Sequence, residues 1–200
     1  MGSIHKYDMG VIGNCSFLAY ISKTAEIKWM CLPRFDSSFV FGSLLDQEKG
    51  GEFYIRPVEN DFYTFQSYLK NTNILSTEFI TSEGKFRVTD FAPRFYQYDR
   101  YYRPLMLIRK IELLDGNPFI TVKCEPVGSY GDFRPQIVAG SNHIRYLNFD
   151  TQVRLTTNIP LTYIINNQPF ILNDTCYLAF TYGVPLEAPL ESTTDDFLEK

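Results

Sequence analysis

The stretch IKWMCLPRFDSSFVFGSLLD, residues 27–46, sets the pattern for the whole chain. In its first part, Ile27–Leu32, two sets of side chains alternate, which is the period-two pattern of a β-strand. Pro33 ends this strand, because proline has no N–H group to donate to a neighbouring strand. A polar loop follows, and it contains Arg34 and Asp36. The sequence therefore predicts a strand that carries this charged pair to the end of a sheet.

Strand-like alternation continues over most of the chain, with a turn signal about every ten positions. The seventeen Phe and fourteen Tyr residues also suit sheets better than helices. Ser82–Lys85 and Asp115–Pro118 predict two tight hairpins, the second joining residues 105–114 to 119–125. Residues 161–165 are predicted as a strand, and no amphipathic helix of useful length is found. We therefore predict an all-β fold, a large sandwich of two antiparallel sheets.

The last sixteen residues have a different character from the rest. Pro185, Pro189 and an acidic run from Glu187 to Glu199 interrupt the strand-like alternation. We therefore predict two parts, a β-sandwich domain over residues 1–184 and an acidic linker over residues 185–200.

Charge and hydropathy exclude several classes of function. The net charge is −4 and no basic stripe is present, so nothing favours binding to nucleic acid. No segment approaches the roughly eighteen apolar residues of a membrane span, and the N-terminus lacks the apolar core of a signal peptide. We therefore expect a cytoplasmic protein with no membrane partner. Phosphate-loop, dinucleotide-binding and nucleophilic-serine motifs are absent, so no cofactor is expected.

Three elements of the first fifty residues occur in a recognisable order. Gly10–Asn14 reads GVIGN, Trp29–Ser37 reads WMCLPRFDS, and the pair Gly50 and Gly51 comes next. These elements resemble the N-terminal signature of the glucoamylase-like and trehalase-like proteins of glycoside hydrolase family 15. Met30, where leucine is usual, is the one departure in the second element. Looser matches lie at residues 73–77, 88–91, 108–114 and 130–135.

The resemblance implies a β-sandwich of the supersandwich type, whose linker leads into a catalytic barrel of paired helices. The family hydrolyses α-glucosidic bonds, in α-glucans or trehalose, with inversion. Inversion requires two carboxylates roughly 6.5–9.5 Å apart, and in the family both are glutamates of the barrel. They have no counterpart here, so the resemblance implies no catalytic residue in this chain. The partners would be the missing barrel and, through the whole enzyme, the sugar.

Two roles are open for Arg34, Phe35 and Asp36. Their loop could project toward the barrel and form part of the rim of its sugar-binding pocket. Alternatively, the two charges form an ion pair that only shapes the loop, which contributes about 0–1 kcal/mol when exposed.

The stretch RFYQYDRYYR, residues 94–103, places aromatic side chains among three arginines. Three roles are open for it: a contact surface between domains or molecules, a mobile surface loop, or a carbohydrate-binding surface. Its candidate residues are Tyr96, Tyr98, Tyr101 and Tyr102.

Other polar residues suggest no chemistry of their own. The carboxylates of Asp36, Asp90, Glu125 and Asp132 are expected to be solvated at strand ends. His5 and His143 are far apart in sequence, so no metal site is expected. A disulfide between Cys15 and Cys31 could form across a hairpin, but the four cysteines are better read as small buried thiols.

Three functions follow from these observations. The first is a non-catalytic domain of a family 15 enzyme. An exposed apolar face near Phe35 and Phe39 would favour it, because a domain separated from its partner leaves such a face uncovered. The second is a free-standing module that binds glucan through its tyrosines. A self-assembling structural β-protein is the third, and only the fold class favours it.

Overall fold

A computed structural model describes residues 8–200, so His5 lies outside the described part of the chain. That part contains seventeen strands, two α-helices and one 3-10 turn, Ser129–Gly131. The first eight strands are β1 (Met9–Gly13), β2 (Leu18–Ser22), β3 (Ile27–Cys31), β4 (Phe39–Phe41), β5 (Glu52–Pro57), β6 (Tyr63–Tyr68), β7 (Leu75–Ile80) and β8 (Gly84–Phe91). The next five are β9 (Phe95–Gln97), β10 (Arg100–Tyr102), β11 (Met106–Gly116), β12 (Phe119–Glu125) and β13 (Ile137–Ala139). The remaining elements are β14 (His143–Tyr146), β15 (Val153–Thr157), α1 (Leu161–Ile165), β16 (Phe170–Ile171), β17 (Cys176–Tyr182) and α2 (Leu190–Glu199).

One layer of the fold is an eight-stranded antiparallel sheet, in the order β13-β14-β15-β17-β11-β8-β7-β6. The other layer consists of a four-stranded sheet, β1-β2-β3-β4, and a three-stranded sheet, β16-β12-β5. Backbone hydrogen bonds from Gly42 N–H to Gly50 C=O and from Val127 N–H to Val40 C=O connect these two smaller sheets. The predicted all-β sandwich of antiparallel sheets is confirmed.

The apolar core fills the space between the two layers. Phe180 of β17 meets Phe41 of β4 and Phe53 of β5, with ring centroids 5.3 and 6.2 Å away. Aromatic pairs at such distances add to the stabilisation that burial provides. The high Phe content of the sequence is therefore used to join the layers.

The core also contains an ion pair. Arg109 of β11 and Asp90 of β8 stand opposite each other in the ladder, and neither side chain is exposed to solvent. Arg109 Nε donates to Asp90 Oδ1 at 2.7 Å, and Arg109 Nη2 donates to Asp90 Oδ2 at 3.2 Å. The same guanidinium donates to the carbonyl oxygens of Phe53 and Ala25 in the opposite layer. One side chain thus connects both layers.

Two predictions of local structure are wrong. Residues 161–165 form α1 rather than a strand, because so short an apolar run has no decisive period and Pro160 favours the start of a helix. Asp115–Pro118 does not close a hairpin, since β11 pairs with β8 and β17 whereas β12 pairs with β5 and β16. The turn residues do reverse the chain, but the strands on either side of the turn belong to different layers and do not pair with each other. The hairpin predicted at Ser82–Lys85 is confirmed by the pairing of β7 with β8.

The expectation that no amphipathic helix occurs is also wrong. Helix α2 lies on the outer face of the large sheet, where Leu190, Phe197 and Leu198 pack around a cluster that includes Ile108. Asp195 accepts hydrogen bonds from Lys110 Nζ at 3.0 Å and from the Tyr177 hydroxyl at 3.3 Å. Part of the acidic stretch is therefore a helix docked on the sandwich. In the described residues no helix has the length and apolarity to cross a membrane.

Candidate functional site

The loop between β3 and β4 presents Arg34 and Asp36 to solvent. Arg34 Nε lies 3.0 Å from Asp36 Oδ1, and Arg34 Nη2 lies 3.4 Å from Oδ2. The side chains remain 76% and 72% exposed, and Phe35 between them is 54% exposed. The hydrogen bond from Arg34 holds the pKa of Asp36 below its ordinary value. The ion pair shapes the loop and leaves both charges and one aromatic ring open to a partner.

A row of aromatic rings supports the base of this loop. Trp29 lies 5.5 Å from Phe39, and Phe39 meets Tyr130 edge-on at 5.8 Å. The Tyr130 N–H donates to Ser38 Oγ at 2.7 Å, which attaches the 3-10 turn to the end of the loop. Phe39 is buried by these neighbours, so the exposed aromatic surface here consists of Phe35 and Tyr130.

A cleft of about 210 Å³ opens beneath the loop. Leu32 and Ser38, the first and last residues of the loop, form one side of the cleft. The other sides come from the segment before the 3-10 turn and from the turn that follows β14. The further lining residues are Phe39, Val40, Val127, Gly128, Ser129, Phe133, Asn148, Phe149, Asp150 and Tyr182. Sequence reasoning missed this cleft, because its walls come from segments more than a hundred residues apart.

The tyrosine-rich stretch forms the hairpin β9–β10, in which Tyr96 stands opposite Tyr101. Tyr98 at its tip is 84% exposed, and Tyr96, Tyr101 and Tyr102 are also exposed. Phe95 is buried beneath the hairpin, 5.2 Å from the ring of Phe197 on α2. The structure thus brings together four exposed tyrosines on one hairpin, but at a place other than the Arg34 loop.

The carboxylates expected to be solvated differ in their surroundings, and for Asp90 the expectation is wrong. Asp90 lies on the same face of β8 as the buried residues Phe86 and Val88, so its side chain points into the core. Glu125 lies 3.3 Å from both Lys123 and Arg134, and Asp36 is paired with Arg34. Asp132 is exposed. Three of the four carboxylates are therefore engaged by a cation.

The residues that could bind a metal do not converge in the described part of the chain, where no group of three or more His, Cys, Asp or Glu side chains is suitably placed. His143 lies on β14, and burial together with Arg154 and Arg145 lowers its pKa.

All four cysteines are free thiols, so the disulfide considered for Cys15 and Cys31 is absent. Cys31 and Cys124 are buried as expected, but Cys15 is exposed. Burial raises the pKa of Cys124 and of Cys176 to about 12. Because the thiolate is the reactive form, these two thiols should be inert near neutral pH.

We therefore expect iodoacetamide to modify Cys15 well before the other cysteines of the folded chain. Peptide mass spectrometry after partial labelling measures the order, and labelling in denaturant, where all four should react alike, is the control. Modification of Cys124 at the rate of Cys15 would contradict the burial described here.

Comparison with known proteins gives consistent matches. The family profile described as trehalase-like, N-terminal, matches residues 3–164. Trehalase 1 of Sulfolobus acidocaldarius is 39% identical over 140 residues, which are 70% of this chain and 23% of that protein. The trehalase of Thermoplasma volcanium is 34% identical over 155 residues, 76% of this chain and 24% of the relative. The trehalase of Thermoplasma acidophilum is 42% identical over 120 residues, 58% of this chain and 20% of the relative. The chain spans about a quarter or less of the curated relatives it matches, and no solved structure matches it.

Proposed function

This chain belongs to the family of trehalase-like N-terminal domains, and from this premise we propose that it is the non-catalytic β-sandwich of a glycoside hydrolase family 15 enzyme. The whole enzyme would hydrolyse α-glucosidic bonds with inversion. Trehalose is the favoured substrate, because the matching relatives are named trehalases. In this proposal the catalytic barrel of helices follows residues 185–200, and the sandwich supports it and contributes to the rim of its active site.

The observation that carries the proposal is the exposed but fixed Arg34 loop. Its two charged groups are held by each other, and its base is held by the Tyr130 turn, so its geometry exists before any partner arrives. A preformed loop loses little conformational entropy when it meets a partner. The exposed ring of Phe35 between two charges suits contact with a sugar or with another domain. We therefore assign Arg34, Phe35 and Asp36 to the substrate rim.

The state of the carboxylates supports a non-catalytic role. A general acid or base must exchange protons with substrate or water. Of the four candidate carboxylates, Asp90 is sealed in the core and Glu125 and Asp36 are paired with cations, which leaves only Asp132 exposed without a salt bridge in the described chain. The catalytic pair would accordingly come from the barrel.

Replacing Arg34 with alanine in the whole enzyme is expected to reduce kcat/KM for trehalose about tenfold, the effect of losing one charge-assisted contact. The melting temperature should hardly change, because an exposed pair contributes little to stability. Arg34→Lys keeps the charge but loses the fork-like geometry of the guanidinium. Its kcat/KM should therefore lie between that of the unaltered enzyme and that of Arg34→Ala.

Arg87→Ala is the matched control for this experiment, since Arg87 also pairs with a carboxylate at the surface, on the outer face of the large sheet. It should leave both kinetic constants unchanged. If Arg34→Ala behaves like this control, the rim role is wrong.

The alternative function is a free-standing carbohydrate-binding module, and the four exposed tyrosines of the β9–β10 hairpin favour it. Stacking of the apolar faces of the sugar rings on these aromatic rings would hold a glucan chain. A pull-down of the 200-residue chain on insoluble starch tests this alternative, with Tyr98→Ala as the variant that should lose binding.

We also propose that the whole enzyme is cytoplasmic. All four cysteines are free, which suits a reducing compartment.

A further inference from the structure

The cleft beneath the Arg34 loop is bordered by residues with an unusual backbone. Ser129, Tyr130 and Asn148 have φ values of 49°, 59° and 72°, and nine non-glycine residues with positive φ occur in the described chain. A third of them therefore lie around this one cleft. Residues other than glycine rarely adopt positive φ, and residues held in such conformations concentrate at binding and active sites. The backbone strain around this cleft therefore points to a binding role.

The lining of the cleft has two kinds of surface. Phe133 and Phe149, which are half-buried with ring centroids 5.3 Å apart, provide an aromatic wall. Asn148 and Asp150 add an amide and a carboxylate on a single turn. A sugar ring likewise has an apolar face of C–H groups and a rim of hydroxyls, and hydroxyls bond to amides and carboxylates. The aromatic and polar parts of the cleft therefore complement the apolar face and the hydroxyls of a sugar ring.

The size of the cleft limits what it can hold. Pockets for drug-sized ligands begin at about 300 Å³, and this cleft has a volume of about 210 Å³. It therefore suits one ring rather than a chain of rings. The ring of Tyr130, which is 64% exposed, stands next to the cleft and can extend its aromatic wall outward.

We propose that this cleft is a saccharide subsite for one glucosyl ring, with Asp150 and Asn148 bonding its hydroxyls and Tyr130 flanking its apolar face. The glucosyl class rests on the proposed function, whereas the position of the site rests on the cleft itself. Because Leu32 and Ser38 belong to both the cleft and the Arg34 loop, the subsite extends the rim inward from that loop.

Titration of the 200-residue chain with methyl α-glucoside and trehalose tests this proposal. We expect saturable shifts of backbone amide NMR signals from residues 127–133 and 148–150, with a Kd of millimolar order. The fluorescence of Trp29, the only tryptophan, should change in parallel, since Trp29 packs on the lining residue Phe39. Signal shifts confined to the β9–β10 hairpin would overturn the subsite. So would the absence of any shift at a sugar concentration of about 10 mM, roughly ten times the expected Kd.

Two variants separate the polar contacts from the fold. Asp150→Asn removes the charge at nearly constant shape, and Asn148→Gly removes the amide while keeping a residue that tolerates positive φ. Each should weaken binding about tenfold, the factor for one hydrogen bond to a charged or amide group. Asp61→Asn, a change at an exposed aspartate outside the cleft, is the control and should bind as the parent chain does. Parent-like binding by both cleft variants would refute the assignment.

The outcomes of the two experiments are independent. The Arg34 experiment measures turnover of the whole enzyme, and the titration measures binding to this chain. Sugar binding in the cleft with an unaffected Arg34→Ala enzyme would refute the rim role and leave the subsite standing. The reverse pattern would remove the subsite alone.

Discussion

Replacing Arg109 with alanine is expected to lower the free energy of unfolding by about 3–5 kcal/mol, far more than the loss of an exposed ion pair would. The variant leaves the carboxylate of Asp90 in the core without its cation, and two backbone carbonyls lose a donor. An uncompensated buried charge is far costlier than a lost surface pair. Urea unfolding followed by Trp29 fluorescence measures the change.

Two further variants identify the cause. Arg87→Ala, which breaks a half-exposed pair with Glu78, should cost about 1 kcal/mol or less. The double variant Arg109→Met with Asp90→Leu should recover much of the lost stability, because well-packed apolar residues can replace a buried pair. A loss below about 1 kcal/mol for Arg109→Ala would show that the pair is not buried as described.

The destabilisation should also depend on pH. Burial raises the pKa of Asp90, and Arg109 opposes this shift, so removing Arg109 raises the pKa further. A carboxyl group whose pKa is higher in the folded state binds its proton more tightly there, so stability declines as pH rises through the window above the unfolded pKa of about 3.9. The difference in stability between Arg109→Ala and the parent should therefore be smaller near that pH than at neutral pH. An equal difference at both would argue against a charged Asp90 as the cause.

The Arg34 loop could be predicted from sequence because its signals are local. The apolar strand residues of β3, the stop at Pro33 and the two opposite charges lie within ten residues. A β-bulge in the pairing of β2 with β3 breaks the strict alternation that the sequence predicts for β3. The buried pair was missed although a signal exists. Asp90 occurs on the same face of β8 as Phe86 and Val88, and Arg109 on the same face of β11 as Leu107 and Ile111. A charge of each sign on an otherwise apolar face predicts partners, but the register that joins them is set by tertiary structure.

The cleft and the connection between β11 and β12 could not be predicted in this way. Asp115–Pro118 has the residues of a tight hairpin, and local turn chemistry does not specify which sheet receives the next strand. The cleft needs segments near residues 38, 128 and 149 to meet, which only the packed sandwich determines.

Helix α2 was missed because its acidic composition resembled a linker. Its apolar contacts, Leu190, Phe197 and Leu198, nevertheless follow the helical spacing of seven and eight residues, and Pro189 precedes the first turn. Thr194, in the middle of this face, is fully buried. A periodicity count over the tail would have found the helix.

Replacing Phe197 with alanine is expected to cost about 2 kcal/mol, roughly half the value for a fully buried phenylalanine. Its half-buried ring packs 5.2 Å from Phe95 and 5.7 Å from Tyr102, so it joins α2 to the tyrosine hairpin. Without this ring, α2 should open locally, and its amide hydrogens should exchange about thirtyfold faster. Exchange measured by NMR reports this opening separately from global unfolding.

Phe65→Ala is the control, because Phe65 on β6 is 64% exposed and its loss should leave exchange in α2 unchanged. Faster exchange in Phe197→Ala alone would show that the tail is held on the sandwich by this contact, and that a following domain would start from a fixed position. Equally fast exchange in the parent chain would mean that α2 does not stay docked. Residues 185–200 would then act as the flexible acidic linker that their composition suggests, and the orientation of a following domain would have to be set by contacts elsewhere, with the Arg34 loop as the first candidate.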